Sequence, residues 1–292
     1  MLALLPQLVV SGIATGMLYA LVALSMTVGY RATTVANFGH GDMVMAGAYA
    51  LFVFGIGVGL PFGPALAAAA ALLFGFGLLT QRLLLQRIAN GPHLSLAMMA
   101  LAIGYAVRGA ARLEWGSEVV KLVRPYRPGA FLLGSVVVTM DDLVISGAVL
   151  VLLIALFLLF NATPLGKLIQ AMFQTQRGAA LVGINVTALQ GVMWGAAAAL
   201  GAVGGVLLAL IAPLTPDMGV WTLVRGFAAM TLGGFGSLGG AVVGGLLLGI
   251  MEKLLGFYAS TVFIDITAYL VTILVLLVRP KGLFGQHATL RI

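Results

Sequence analysis

The sequence has no cysteine, only three histidines, and charged side chains at just 8% of its 292 positions. Without cysteine there is no disulfide, Fe–S cluster or thiolate zinc site. His40, His93 and His287 stand too far apart for a metal-binding histidine pair, so no metal and no other cofactor is signalled. The scarcity of charge excludes a water-soluble single domain: such domains are about 25% charged and about 45–50% apolar, whereas 62% of this chain is hydrophobic. Disorder needs low hydrophobicity and high charge, the reverse of what is found. A phosphate-binding G-x-x-x-x-G-K-[ST] motif is also missing, since the only Gly-Lys pair, Gly166-Lys167, is followed by Leu168. The chain therefore has no P-loop of its own for ATP.

What is present is a series of long uncharged runs. A helix needs about 20 mostly apolar residues to cross roughly 30 Å of hydrocarbon. The first charge is Arg31, and the run 7–30 before it lacks the basic start and short core of a signal peptide, so it reads as a retained helix. Nine segments follow from the pattern: 7–30, 36–60, 64–86, 93–111, 142–160, 189–212, 223–235, 239–257 and 258–279. The stretch 223–257 is too long for one helix and is broken at the cluster from Gly233 to Gly240. The expectation is an all-α, polytopic membrane bundle forming a single permease domain over residues 1–292.

Charge placement supports nine crossings. If the first segment ends in the cytoplasm, the inside loops hold Arg31, Arg82, Arg87, Lys167, Arg177, Arg279, Lys281 and Arg291 with no firmly placed acid. The outer ends hold balanced charge. Eight crossings would put Arg279, Lys281 and Arg291 outside, against the positive-inside rule. The net charge of +7 therefore reads as orientation in a membrane and not as nucleic-acid binding. Residues 7–111 and 189–279 then form halves of opposite topology about a connecting helix at 142–160, an inverted-repeat layout. In each half the second member is expected to be irregular, at Ala36 to Asp42 and at Gly233 to Gly240.

Asn37, His40 and Asp42 gather at the entrance of the second segment. Ionisable groups cost about 2.5–3.5 kcal/mol at the bilayer centre, so they are expected to face neighbouring helices or a polar pathway. An acid/base role for His40 and Asp42 is disfavoured, because residues two apart on a helix do not face each other and no nucleophile is near. The run from Gly234 to Gly239 matches G-x-G-x-x-G but lies between membrane helices, not in a βαβ unit, and reads as close packing and a helix break. The connection 161–188 is amphipathic, with an apolar stripe through Leu165, Leu168, Ile169, Met172 and Phe173 and then Leu181, Val182 and Ile184. It reads either as an interfacial helix on lipid or as two short helices that dock a soluble partner. The outer loop 112–141, with Trp115 and Tyr126, is expected at the interface.

Several blocks carry a family resemblance. Gly12 to Ala50, with Gly16-Met17-Leu18-Tyr19-Ala20-Leu21 and Asn37-Phe38-Gly39-His40-Gly41-Asp42-Met43, resembles the permeases of the high-affinity branched-chain amino-acid ABC importers. Thr163 to Lys167, Ala179 to Asn185, Gly233 to Gly249 and Arg279 to Gly285 do the same, and the Asn-Phe-x-His-Gly block resembles the first of the two paired permeases. The resemblance implies a bacterial inner-membrane subunit, and the charge placement puts its C-terminus in the cytoplasm. It also implies a second permease subunit, two cytoplasmic ATPases and a periplasmic solute-binding protein as partners. It makes 161–188 the ATPase-coupling loop, with Gly166, Lys167, Arg177, Ala179 and Gly183 as candidate residues. Gln170 and Arg177 stand where such loops commonly carry a basic and an acidic residue. Asn37, His40, Asp42, Gly233 and Gly234 are the candidate pathway residues. A branched-chain amino acid is the expected solute; the competing reading is an ion-coupled carrier or passive channel for a solute such as urea or an amide.

Overall fold

A computed structural model describes residues 4–89, 91–134 and 136–285. His287, Arg291 and Ile292, and with them the end of the chain that was expected in the cytoplasm, lie outside the described residues. The described helices are α1 (Leu5–Thr33), α2 (His40–Phe52, continued by a π turn at Val53–Gly57), α3 (Phe62–Leu83) and α4 (His93–Trp115). A hairpin of β1 (Ala130–Leu133) and β2 (Val136–Thr139) precedes α5 (Met140–Ala162) and the short α6 (Pro164–Gln174) and α7 (Gln176–Leu181). The chain closes with α8 (Val186–Ile211), α9 (Met218–Gly233), α10 (Leu238–Tyr258) and α11 (Val262–Val278).

Seven of these are long and apolar enough to cross a bilayer; α11 has 17 residues and α9 has 16. Both short helices fall where the sequence pattern places spans, so the helix order agrees with the expectation while full length is met by seven. The break within 223–257 is real, since α9 ends at Gly233 and α10 begins at Leu238. Two starts differ. Helix α2 begins at His40 and not at 36, because Thr34 takes a left-handed φ of 57° and Asn37 Oδ1 accepts the Gly39 N–H at 3.0 Å, which turns the chain before the helix opens. Helix α9 begins at Met218 and not at 223, directly after Pro216-Asp217.

Helix α1 packs most closely on α10 and α3 on α8, with α2 and α9 between them. Small residues allow this. A Cβ on Gly16 of α1 would stand 2.8 Å from the Leu246 backbone of α10, and Gly249 lies against Gly16 in return. Exchanging α1 with α8, α2 with α9, α3 with α10 and α4 with α11 maps α1·α10 onto α8·α3, α1·α9 onto α8·α2 and α2·α4 onto α9·α11, whereas the packing of α10 on α11 has no close counterpart between α3 and α4. Helix α5 touches mainly α1 and α6. Side-chain caps set the ends around α6 and α7: Thr163 accepts from Gly166 N at 3.1 Å, Thr175 from Gly178 N at 3.2 Å, and Asn185 from Ala188 N at 3.0 Å.

Candidate translocation pathway and coupling surface

The first break lies level with the middle of two long helices, α4 and α8. Gly39 abuts the Ala100 carbonyl and Gly104 of α4, and the His40 ring is 3.0 Å from where a Gly201 Cβ on α8 would stand. Asn37, His40 and Asp42 are all buried. His40 Nε2 is 2.7 Å from Ser25 Oγ on α1, and Ser25 donates its proton to Val22 O at 2.7 Å. The hydroxyl is thereby left to accept from the ring, which assigns the imidazole proton to Nε2. Asp42 turns to α4 instead, where Arg108 Nε and Nη2 both lie 2.7 Å from its Oδ1. The two side chains engage separate partners.

The counterpart of this break was not recognised in the sequence. In helix order, the link from α1 to α2 corresponds to the link from α8 to α9, residues 212–217. The N-termini of α2 and α9 meet: Gly41 lies against the Gly219 carbonyl, and a Cβ on Gly219 would stand 2.6 Å from the Gly41 carbonyl oxygen. The signal was Ala212-Pro213-Leu214-Thr215-Pro216-Asp217, two prolines between apolar runs. Leu214 also exchanges backbone hydrogen bonds of 3.0 Å with Val120, which ties the 112–141 loop to this break. In the same loop Trp115 stacks on Tyr49 at 4.6 Å, and Tyr126 donates to Asp141 at 2.7 Å. Burial and that bond to a carboxylate push the Tyr126 phenol up to about 12.

Gly233 and Gly234 sit elsewhere. They close α9 at the end that carries Arg31, whose Nε donates to Gly236 O at 2.7 Å. Gly234 has φ +104°, and a Cβ there would stand 2.5 Å from Gly285 N and 2.8 Å from Lys281 O. Leu283 N and Phe284 N donate to the Leu232 and Gly233 carbonyls at 2.9 Å. The glycine break therefore docks the Arg279 to Gly285 block at a helix end, while the polar break lies at mid-depth.

A second charged group was also missed. Tyr19, at the midpoint of α1, donates to Glu252 of α10 at 3.1 Å; Arg225 of α9 lies 3.4 Å from Glu252 and 3.2 Å from Asp265 of α11. Sequence counting placed these charges at outer ends without pairing them. The partners are far apart in sequence and on different helices, so the only local signal was a carboxylate in an apolar run.

The loop candidates divide between surface and interior. Lys167, Arg177 and Gly183 are exposed, whereas Gly166 is packed on the Phe160 and Leu159 carbonyls and Ala179 is 3% exposed. The stripe divides as well: Ile169 and Met172 are buried, while Leu181 and Val182 project at 88% and 77% exposure. Gly183 ends the tip with φ +85° and open space around it. Behind the tip, Gln176 and Gln190 donate to Ala32 O at 3.4 and 3.1 Å, which joins the loop to the end of α1.

Residues 8–279 match the family model described as the branched-chain amino acid transport system / permease component. The chain is 30% identical to the high-affinity branched-chain amino acid transport system permease protein LivH of Escherichia coli K12, over 96% of this chain and 95% of that protein. It is 30% identical, with the same coverage, to the permease protein BraD of the corresponding system of Pseudomonas aeruginosa. Among solved structures, PsaBC from Streptococcus pneumoniae in complex with Fab aligns with a TM-score of 0.49 at 14% identity, covering 94% of this chain and 92% of that one. A membrane helical bundle with a family match over nearly its whole length belongs to the branched-chain amino acid transport system permease family.

Proposed function

We propose that this chain is a membrane-spanning subunit of an ATP-driven importer in a bacterial inner membrane, working with a second permease subunit, two cytoplasmic ATPases and a periplasmic solute-binding protein. The observation that carries the reading is the projecting tip Leu181-Val182-Gly183, an apolar surface on a capped two-helix loop in a chain of this permease family. Exposed apolar side chains on a rigid projection fit a groove in a soluble partner. The link from the loop to Ala32 of α1 gives a route by which a rotation of the partner reaches the membrane helices.

The pathway is formed around two inverted halves, 7–111 and 189–279, and the exchange symmetry of the helix packing supports this. Asn37, His40 and Asp42 hold the mid-depth break in place, and Gly233 and Gly234 form the hinge at the cytoplasmic end of α9. Non-helical backbone at that depth is tolerated where protein or a polar cavity surrounds it. The solute is a branched-chain or similarly apolar amino acid, in keeping with the names of the relatives. The outer loop 112–141, tied through Val120 to the second break, receives the binding protein.

An ion-coupled carrier uses an ionisable group in its path. Here the two candidate acids are engaged, Asp42 with Arg108 and Asp265 with Arg225. Co-purification with candidate ATPases tests the proposal: hydrolysis stimulated by loaded binding protein is expected, and Leu181→Asp is expected to separate the ATPases from the permease. Solute uptake by the permease in vesicles lacking any ATPase would overturn it.

A further inference from the structure

A cavity of about 670 Å³ lies between α1, α5, α6 and the start of α10, at the end of the molecule that carries the two-helix loop. Its polarity changes along its length. Leu24, Leu153 and Val242, one or more turns inside their helices, line the deeper part; Arg31, Gln174 and Ser237, at or beside helix ends, line the mouth. Ile154 and Phe157 belong to the same wall and are 52% and 68% exposed on α5, the most apolar of the candidate spans. The cavity thus opens sideways onto a surface that meets hydrocarbon.

Arg31 is the one charged residue of its lining, and among the described residues it belongs to no ion pair. Its Nε donates to the Gly236 carbonyl at 2.7 Å, and its guanidinium stands 5.8 and 5.1 Å from the ring centroids of Phe160 and Phe173. A carbonyl and two ring faces hold the side chain in position without neutralising it, and the fork has further N–H donors. The N-terminus of α10, where Leu238 and Gly239 line the cavity, adds to the positive field.

We infer that this cavity binds one anionic phospholipid, with its phosphate at Arg31 and an acyl chain along Leu24, Leu153 and Val242. An uncompensated guanidinium at a helix end stands at headgroup level, and basic pockets between membrane helices suit phosphate headgroups. The lateral opening gives access from the bilayer, and the apolar depth matches a chain and not a second polar group. Because α6 contributes Gln170, Phe173 and Gln174 to the lining, the lipid braces the helix that leads to the exposed tip. The inference requires only that the chain is a membrane protein and is independent of the direction of transport.

The test uses the full-length permease, extracted with its bound partners and reconstituted in nanodiscs of phosphatidylcholine with a minor fraction of phosphatidylglycerol. Lipid retained after gentle release into detergent is identified by native mass spectrometry. Phosphatidylglycerol is expected to be retained in preference to phosphatidylcholine. Its retention should fall about tenfold in Arg31→Gln, the loss of one charge-assisted hydrogen bond, and stay largely intact in Arg31→Lys. Leu153→Trp, which fills the deep end and leaves Arg31 in place, should also lower retention and carries the test if Arg31→Gln does not fold. Equal retention of both lipids, or retention unchanged in both Arg31→Gln and Leu153→Trp, would overturn the inference. Displacement of phosphatidylglycerol by free leucine would overturn it too, by assigning the cavity to a small carboxylate solute.

Discussion

The two breaks in this bundle are built from opposite materials. The break before α2 uses side chains: Asn37 turns the backbone, His40 reaches Ser25, and Asp42 reaches Arg108. The break after α9 uses the lack of side chains, with Gly233 and Gly234 letting residues 281–285 lie against the helix end. The difference follows from position. At mid-depth no water can satisfy a freed backbone or polar group, so neighbouring helices must supply partners. At a helix end, hydrogen bonds can come from an adjacent chain segment, and close approach is what the backbone needs.

If that contrast is right, the largest effect belongs to the polar break. Arg108→Ala leaves Asp42 buried without its cation, and losing one partner of a buried pair costs about 3–5 kcal/mol. The expected outcome is poor accumulation and a strongly lowered melting temperature in detergent, with part of the loss recovered in the Asp42→Asn/Arg108→Gln double variant. Equal damage in the single and double variants would show that the pair matters only through packing.

Gly234→Leu should come next. It meets a left-handed φ and the Lys281 carbonyl, and added volume in a close-packed site costs about 1–3 kcal/mol. The contacts with 281–285 predict that thermal stability falls along with transport. An unshifted melting curve would contradict the packing role. A smaller loss, about 1 kcal/mol for one hydrogen bond, is expected for Ser25→Ala, read by the same melting assay; no change would show that His40 needs no partner at depth.

The smallest effect on stability is expected at the tip, where surface substitutions stay within about 0.5 kcal/mol. Leu181→Asp should melt like the parent protein yet lose partner-coupled ATP hydrolysis. Ala179, a candidate coupling residue from the sequence, is 3% exposed, so Ala179→Asp probes the interior and not the docking surface. A Leu181→Asp variant that couples normally would turn the tip into an ordinary exposed loop.

Much was legible in the sequence, and the reason is local. Hydropathy over about 20 residues marks a span, and the helices run where the uncharged stretches lie. Thr163, Thr175 and Asn185 act on N–H groups three residues on, and Gly183 terminates α7 through its own φ. The polar break at Asn37 was legible for the same reason. Tertiary structure alone decided the rest: that the N-termini of α2 and α9 meet at Gly41 and Gly219, that Glu252 finds Arg225 and Tyr19, and that Ala179 faces inward while Leu181 faces out. Those outcomes depend on the rotation and depth of each helix against its neighbours. Both are set by the fit of small residues across helix pairs far apart in sequence, and no local pattern encodes them.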